Sequence, residues 1–133
     1  YSEVLEKNGR FFFRRAVLAA YDNTCCISGV TNKRLLVASH IKPWYICNKQ
    51  TEGANPANGL CLNSFYDRAF DEGIFTIDKH LKIWVSNKVR KEYKDECTQK
   101  WLYCLEGQKI TSPSRFRPRN DFLEYHNDKV FIR

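Results

Sequence analysis

The stretch at 39–71 constrains the fold more than any other part of the sequence. Two short apolar runs, at 35–39 and 60–63, are bounded by turn residues, and such runs predict strands. The 42–58 segment between them contains two prolines and three asparagines, which indicates a loop. We therefore predict a hairpin that places His40, directly after the first strand, close to whatever follows the second.

A short helix is predicted directly after the second strand. Asn63 or Ser64 can cap its first turn and Gly73 can end it. Asp67 and Asp71 lie four residues apart, beyond the edge of an apolar arc formed by Phe65, Tyr66, Ala69 and Phe70. Like charges at this spacing destabilise a helix by roughly 0.2–0.5 kcal/mol, so we expect a neighbouring cation. A divalent metal ion would serve, but so would Arg68 or a lysine, and the pair alone favours that simpler explanation.

His40 and the acidic pair indicate a function only when they are considered together. A histidine with a pKa near neutrality can act as a general base. Carboxylates on a short helix suit Mg²⁺, which accepts one or two of them and keeps several waters and substrate phosphate as its other ligands. These are the minimum parts for metal-assisted hydrolysis of a phosphodiester.

Three segments of the chain resemble the HNH endonucleases of the ββα-metal group, in the branch found in bacterial restriction enzymes. They are Ala38-Ser-His-Ile-Lys-Pro43, Asn55-Pro-Ala-Asn-Gly-Leu60 and Asp67-Arg-Ala-Phe-Asp-Glu-Gly-Ile74. Weaker pieces at 13–17, 26–29 and 123–126, with Phe131, extend the likeness over most of the chain. The resemblance implies an α+β fold, in which a ββα-metal (HNH) finger carries flanking helices and an additional β-hairpin.

The same resemblance implies a role for each site residue. His40 would be the general base that activates water, and Asn58 would hold the loop and orient the histidine. Asp67 and Asp71 would be metal ligands, and an aspartate at the last position favours Mg²⁺ or Mn²⁺ over softer metals. Ser39 stands where many relatives carry an acidic residue or a histidine as a further ligand. The alternative function is therefore a catalytically inactive DNA-binding module with an HNH-like fold.

Positive charge favours a polyanionic partner. Lysine and arginine number 22 against 15 acidic residues, a net charge of +7, and such side chains bind nucleic acid by displacing counterions from phosphates. Double-stranded DNA is the expected substrate, and RNA stays open. Trp44 could stack on a base or pack in the loop. The candidate phosphate contacts, for which a solvated surface is the plain alternative, are Lys42, Arg68, Arg115, Arg117 and Arg119.

We predict a single nuclease domain over 1–133. It comprises an N-terminal helix region (1–24), the ββα-metal core (25–78) and a C-terminal hairpin and helical extension (79–133). The chain contains no methionine and starts at Tyr1, so we expect a piece of a longer protein whose recognition domain lies outside it; a homodimer stays open. No apolar run is long enough for a membrane span, so no membrane partner is expected.

The six cysteines form no Cys-x-x-Cys pair, so no structural zinc is expected. Free thiols rather than disulfides are expected, and with them a bacterial cytoplasmic location.

The remaining elements are predicted from periodicity. We expect a helix over 10–21 with Asn8 as its N-cap, a hairpin of 74–77 with 81–85, and a long helix over 89–105. His80 should be exposed in the hairpin turn. His126 is more consistent with a hydrogen-bonded structural histidine than with a ligand.

Overall fold

A β-hairpin followed directly by a helix forms the centre of the fold. The computed structural model describes residues 2–133, with side chains described from Lys7 onward. The helices and strands, in chain order, are α1 (Ser2–Ala20), β1 (Leu36–His40), β2 (Gly59–Asn63), α2 (Ser64–Asp71), β3 (Phe75–Ile77), β4 (Ile83–Val85), α3 (Asn87–Glu92), α4 (Glu96–Trp101) and α5 (Asn120–Tyr125). Two separate antiparallel hairpins, β1–β2 and β3–β4, are combined with these helices, which confirms the predicted α+β class.

The first hairpin and α2 form as the sequence predicts. In the antiparallel register, His40 faces Gly59 across the two strands. The Asn63 side chain accepts a hydrogen bond from the Tyr66 amide at 2.9 Å and so caps α2. Gly73 ends the helix region at φ +74°, and a Cβ there would lie 2.1 Å from the Val130 carbonyl oxygen. Glycine is therefore required at this position for both conformation and space.

Helix α1 packs closely against the hairpin. Phe13 and Val17 are buried, and a Cβ on Gly59 would lie only 2.4 Å from a Val17 methyl carbon. The predicted N-cap at Asn8 is wrong, because α1 already begins at Ser2 and Asn8 lies inside it. The preceding residues at 3–7 include glutamate, leucine and lysine, which are good helix formers, and they extend the helix past the predicted start.

The predicted long helix over 89–105 is also wrong. The backbone is extended at Tyr93, where α3 ends, and Asp95 starts α4 by accepting a hydrogen bond from the Thr98 amide at 2.9 Å. Tyr93 and Trp101 are 61% and 51% exposed, so the apolar residues at every fourth position do not form one buried stripe. An aspartate that caps a new helix therefore outweighs the apolar spacing.

The C-terminal segment returns to the hairpin and covers it. The amides of Thr111, Ser114 and Arg119 donate to backbone carbonyls near the first hairpin and α1, at 2.9, 2.8 and 3.1 Å. The main core includes the buried aromatic residues Phe70, Phe75 and Phe122. All six cysteines are free, as expected, although Cys97 and Cys104 are exposed. Within residues 2–133, no helix is both long enough and apolar enough to cross a lipid bilayer.

Candidate active site

His40 is held rigidly at the end of β1. Its ring stacks on Phe13 with centroids 4.0 Å apart and an interplanar angle of 4°, and Trp44 lies against it at 5.4 Å. His40 Nε2 lies 2.8 Å from the Gly53 carbonyl oxygen. Because a carbonyl oxygen can only accept, Nε2 must carry the proton, and Nδ1 then keeps its lone pair in the neutral ring. No protein group within the described residues hydrogen-bonds that lone pair.

The surroundings of His40 favour the neutral imidazole. Burial lowers its pKa most, the hydrogen bond to Gly53 opposes this, and the Lys49 and Arg10 cations lower the pKa further. The Asp67 carboxylate raises it. Since the net shift is downward from 6.5, the ring is mainly uncharged at neutral pH and can accept a proton.

Asn58 ties together the two ends of the loop around the histidine. The side chain is fully buried. Its Oδ1 accepts from the Lys42 amide at 2.8 Å, and its Nδ2 donates to the carbonyl oxygens of Lys42 and Glu52, both at 3.2 Å. Lys42 lies two residues after His40, and Glu52 immediately precedes Gly53. Asn58 therefore influences the position of the imidazole through the backbone at Lys42 and Glu52.

Asp67 and Asp71 lie on one edge of α2. Asp67 is half-buried and Asp71 exposed. Although the residue as a whole is exposed, desolvation of its carboxylate, together with the Asp67 carboxylate, raises the pKa of Asp71 to about 6, and Arg68 opposes the rise. Arg68 itself pairs with Glu72 at 3.0 Å. The Asp67 carboxylate also raises the pKa of His40 slightly, so Asp67 lies within electrostatic reach of the candidate base.

The acidic pair fits a hard divalent cation. Within residues 7–133, no cluster of three or more histidine, cysteine, aspartate or glutamate side chains is arranged to hold a metal. Mg²⁺ needs only one or two protein carboxylates, because water and substrate phosphate complete its octahedron. The repulsion that raises the pKa of Asp71 would also be relieved by a bound cation. Asp67 and Asp71 are therefore suitable ligands.

Ser39 is buried beside this site. It is 1% exposed, and its hydroxyl finds no hydrogen-bond partner within the described part of the chain. Because side chains alternate along a strand, Ser39 and His40 point to opposite faces of the hairpin. Burial of a hydroxyl without a hydrogen-bond partner lowers the stability of the folded state, so the serine at this position does not stabilise the fold.

Most of the candidate phosphate contacts are engaged with other protein groups. Lys42 Nζ donates to both carboxylate oxygens of Glu52, at 3.0 and 2.9 Å. Arg119 pairs with Asp121 at 2.7 Å, and Arg117 donates to the Lys79 carbonyl oxygen at 3.1 Å. Arg115 lies over the Phe116 ring. The three arginines of the exposed arm at 115–119 keep these partners at the surface, whereas Lys42 is the most enclosed of the candidates.

Sequence reasoning missed the residues that hold the histidine. It assigned no role to Gly53, Glu52 or Lys49, and it placed Phe13 only within the predicted helix over 10–21. A Cβ on Gly53 would lie 2.5 Å from a Trp44 ring carbon, so this glycine lets the loop close over the tryptophan. A glycine within a predicted loop could have marked Gly53 as a special position. Its contact with His40, 13 residues upstream, could not be identified from the spacing.

The other two histidines lie apart from this site. His126 is buried, with Nδ1 2.8 Å from the Thr76 hydroxyl and Nε2 2.9 Å from the Phe70 carbonyl oxygen. This is the hydrogen-bonded structural role that the sequence favoured. His80 is exposed, as expected.

Comparisons with known proteins bear on the family and on the fold. A family model described as HNH endonuclease matches residues 25–78. A solved structure described as the modification dependent TagI restriction endonuclease superposes with a TM-score of 0.51 and 18% identity, over 89% of this chain and 37% of that one. The chain thus spans about a third of the length of that neighbour. A search of curated proteins found no match. The matched region includes His40, Asn58, Asp67 and Asp71, so residues 25–78 are similar to HNH endonucleases, and the chain has an α+β fold.

Proposed function

We propose that this chain is a metal-dependent endonuclease that hydrolyses DNA phosphodiester bonds and acts as the cleavage domain of a restriction-type enzyme. The observation that carries the proposal is the state of His40. Its Nε2–H is fixed on the Gly53 carbonyl, its Nδ1 lone pair has no partner within the described residues, and an aspartate pair lies nearby. A general base needs this combination of fixed orientation and available lone pair.

In the proposed reaction, His40 Nδ1 takes a proton from the attacking water. Phe13 and the Gly53 carbonyl hold the ring in place, and Asn58 holds the loop that carries this carbonyl. Asp67 and Asp71 would hold Mg²⁺ or Mn²⁺, which when bound stabilises negative charge on the scissile phosphate and the leaving oxygen. No structural zinc is required in this scheme.

DNA is the proposed substrate. The net charge of +7 supports a polyanionic partner. The exposed arm with Arg115, Arg117 and Arg119, together with Arg68 on α2, offers cations for the phosphate backbone. The restriction-type role is supported by the likeness to a restriction endonuclease, whose additional length also supports a recognition domain outside this chain.

The second candidate is a DNA-binding module without activity. Ser39 favours it, because a buried serine supplies no carboxylate at a position next to the candidate base. The two candidates differ in one measurable property, which is metal-dependent cleavage.

The test is cleavage of supercoiled plasmid with Mg²⁺ or Mn²⁺ against EDTA, for the parent and for Asp67→Ala. We expect metal-dependent nicking or linearisation that is lost in the variant. Glu92→Ala is the matched control, since Glu92 is an exposed acid on α3, and it should cleave like the parent. Salt-sensitive DNA binding by the parent without cleavage would instead establish the binding module.

A further inference from the structure

We infer that the ion pair between Lys42 and Glu52 is a positioning device for His40, and that Lys42 serves the reaction through this pair rather than by contacting DNA. This inference rests on the proposed function and deepens it. It assigns a role to Glu52, which sequence reasoning did not single out, and a different role to Lys42.

The ion pair fastens the loop at 48–53. The Glu52 carboxylate accepts two bonds from Lys42 Nζ and a third from the Asn48 amide at 2.9 Å. The Lys42 bond is the main reason that the pKa of Glu52 lies below its ordinary value. The side chains of Lys42 and Glu52 are only 21% and 23% exposed. The pair is therefore sheltered, and it adds a side-chain link between the loop and Lys42 to the backbone bonds that the loop makes to Asn48.

The position of the loop is transmitted to the imidazole. Glu52 is adjacent to Gly53, and the Gly53 carbonyl is the group that accepts from His40 Nε2. Lys42 is anchored in turn, because both its amide and its carbonyl bond to the buried Asn58 side chain. A continuous path thus runs from Asn58 through Lys42 and Glu52 to His40. Loss of the ion pair would remove the bonds that Lys42 Nζ makes to this loop, and the Gly53 carbonyl would then depend on the backbone bonds to Asn48, on Trp44 and on the Asn58 bond to the Glu52 carbonyl oxygen.

The two roles for Lys42 make opposite predictions for Glu52. If Lys42 contacted phosphate, removal of the Glu52 charge would release a cation, and DNA binding would tighten. If the pair positions His40, removal of either member slows the same step, which is the proton transfer from water to His40. Glu52→Gln therefore separates the roles, because it leaves the lysine in place.

The kinetic experiment compares single-turnover cleavage and KM for Lys42→Met, Glu52→Gln and the double variant. We expect each single change to slow cleavage on the order of tenfold to a hundredfold with little change in KM, since a small misplacement of a catalytic group costs that much. The double variant should be no slower than the slower single variant. Lys42→Arg keeps the cation and should retain most of the rate. Lys91→Met removes an exposed lysine on α3 and is the matched control for lost charge.

A spectroscopic experiment tests the positioning without DNA or metal. His40 and His126 each hold an Nε2–H proton against a backbone carbonyl, so the parent should show two slowly exchanging imidazole N–H signals by NMR. In Lys42→Met and in Glu52→Gln, the His40 signal should be lost to faster exchange while the His126 signal stays. The His126 signal is therefore an internal control for folding.

The outcomes distinguish the inference from the proposed function. An unchanged His40 signal in both single variants overturns the inference, whatever the cleavage rates are. Parental cleavage with tighter DNA binding by Glu52→Gln also overturns it, in favour of Lys42 as a phosphate contact. If the parent itself does not cleave, the proposed function fails, and the His40 signal alone then decides whether the pair positions the ring.

Discussion

His40 and His126 are packed in nearly the same way but differ in what their second ring nitrogen meets. Each ring stacks on a phenylalanine, with centroids 4.0 Å apart for His40 on Phe13 and 3.7 Å for His126 on Phe70. Each Nε2 lies against a backbone carbonyl. His126 Nδ1 is matched by the Thr76 hydroxyl, whereas the described residues offer His40 Nδ1 no such partner. With the same packing, both ring nitrogens of His126 are therefore hydrogen-bonded, whereas His40 Nδ1 can still accept a proton.

The electrostatic surroundings of the two rings differ as well. Burial lowers the pKa of His126 to about 4, and the Phe70 carbonyl only partly opposes this. His40 also interacts with Lys49, Arg10 and Asp67. The pKa of His126 is thus set by burial and one backbone hydrogen bond, while that of His40 also responds to charged side chains. A stacked, carbonyl-bonded histidine is a structural feature in itself, and only the free nitrogen and the nearby charges make it suitable for chemistry.

The largest effect should come from removing the His40 ring. His40→Ala should lower the metal-dependent cleavage rate by about 10²–10⁴-fold, because a general base contributes about that much. DNA binding should stay within a few-fold of the parent by fluorescence anisotropy, because the proposed phosphate contacts do not include His40. Cleavage by His40→Ala at the parental rate would show that His40, like His126, is not needed for the reaction.

Removal of the His126 ring should affect folding instead. His126→Ala leaves a cavity against Phe70 and two buried groups without partners, so we expect the free energy of unfolding to fall by about 3 kcal/mol or more. Urea denaturation measures this change, with His80→Ala as the exposed control at less than about 0.5 kcal/mol. The folded His126→Ala protein should still cleave. A loss as small as that of His80→Ala would contradict the structural role.

The stability of the protein should depend on pH through His126. Its pKa is about 4 in the folded protein and about 6.5 when unfolded. The unfolded state therefore binds more protons between these values, and the contribution to stability is complete above about pH 6.5 and is lost towards pH 4. The loss amounts to roughly 3 kcal/mol. His126→Phe should show a flatter dependence in urea titrations between pH 4 and 7, and identical slopes for both proteins would contradict the assignment.

The smallest effect should come from a charge near His40. Lys49 lowers the pKa of His40, so Lys49→Met should move the acid limb of the cleavage rate to higher pH. The parent limb itself should lie below 6.5, since burial lowers this pKa. Single-turnover rates against pH measure both positions, with Lys88→Met as the control at an exposed lysine on α3. A limb that does not move would show that Lys49 has no influence on the base.

The local parts of the site could be predicted from the sequence, and the tertiary parts could not. The cap at Asn63, the turn at Gly73 and the hairpin before α2 follow from neighbouring residues, and the structure contains them. The Gly53 carbonyl and the sheltered pair of Lys42 with Glu52 depend on how a long loop folds back. Neither contact leaves a periodic pattern in the chain.

The predicted helix over 89–105 failed for a related reason. Apolar residues at regular spacing were taken as a buried face, but Tyr93 and Trp101 are exposed and Asp95 begins a new helix. Spacing indicates which residues could share a face, whereas packing against the rest of the chain decides which of them are buried.

Chemical rescue shows whether His40 is the base. His40→Gly leaves a gap between Phe13 and Trp44, and added imidazole can occupy such a gap and take the proton. The measurement is metal-dependent plasmid cleavage by His40→Gly and by His126→Gly with and without imidazole. We expect His40→Gly to be inactive alone and to regain cleavage with imidazole, while cleavage by folded His126→Gly does not respond. Cleavage by His40→Gly at the parental rate without imidazole would show that His40 is not the base.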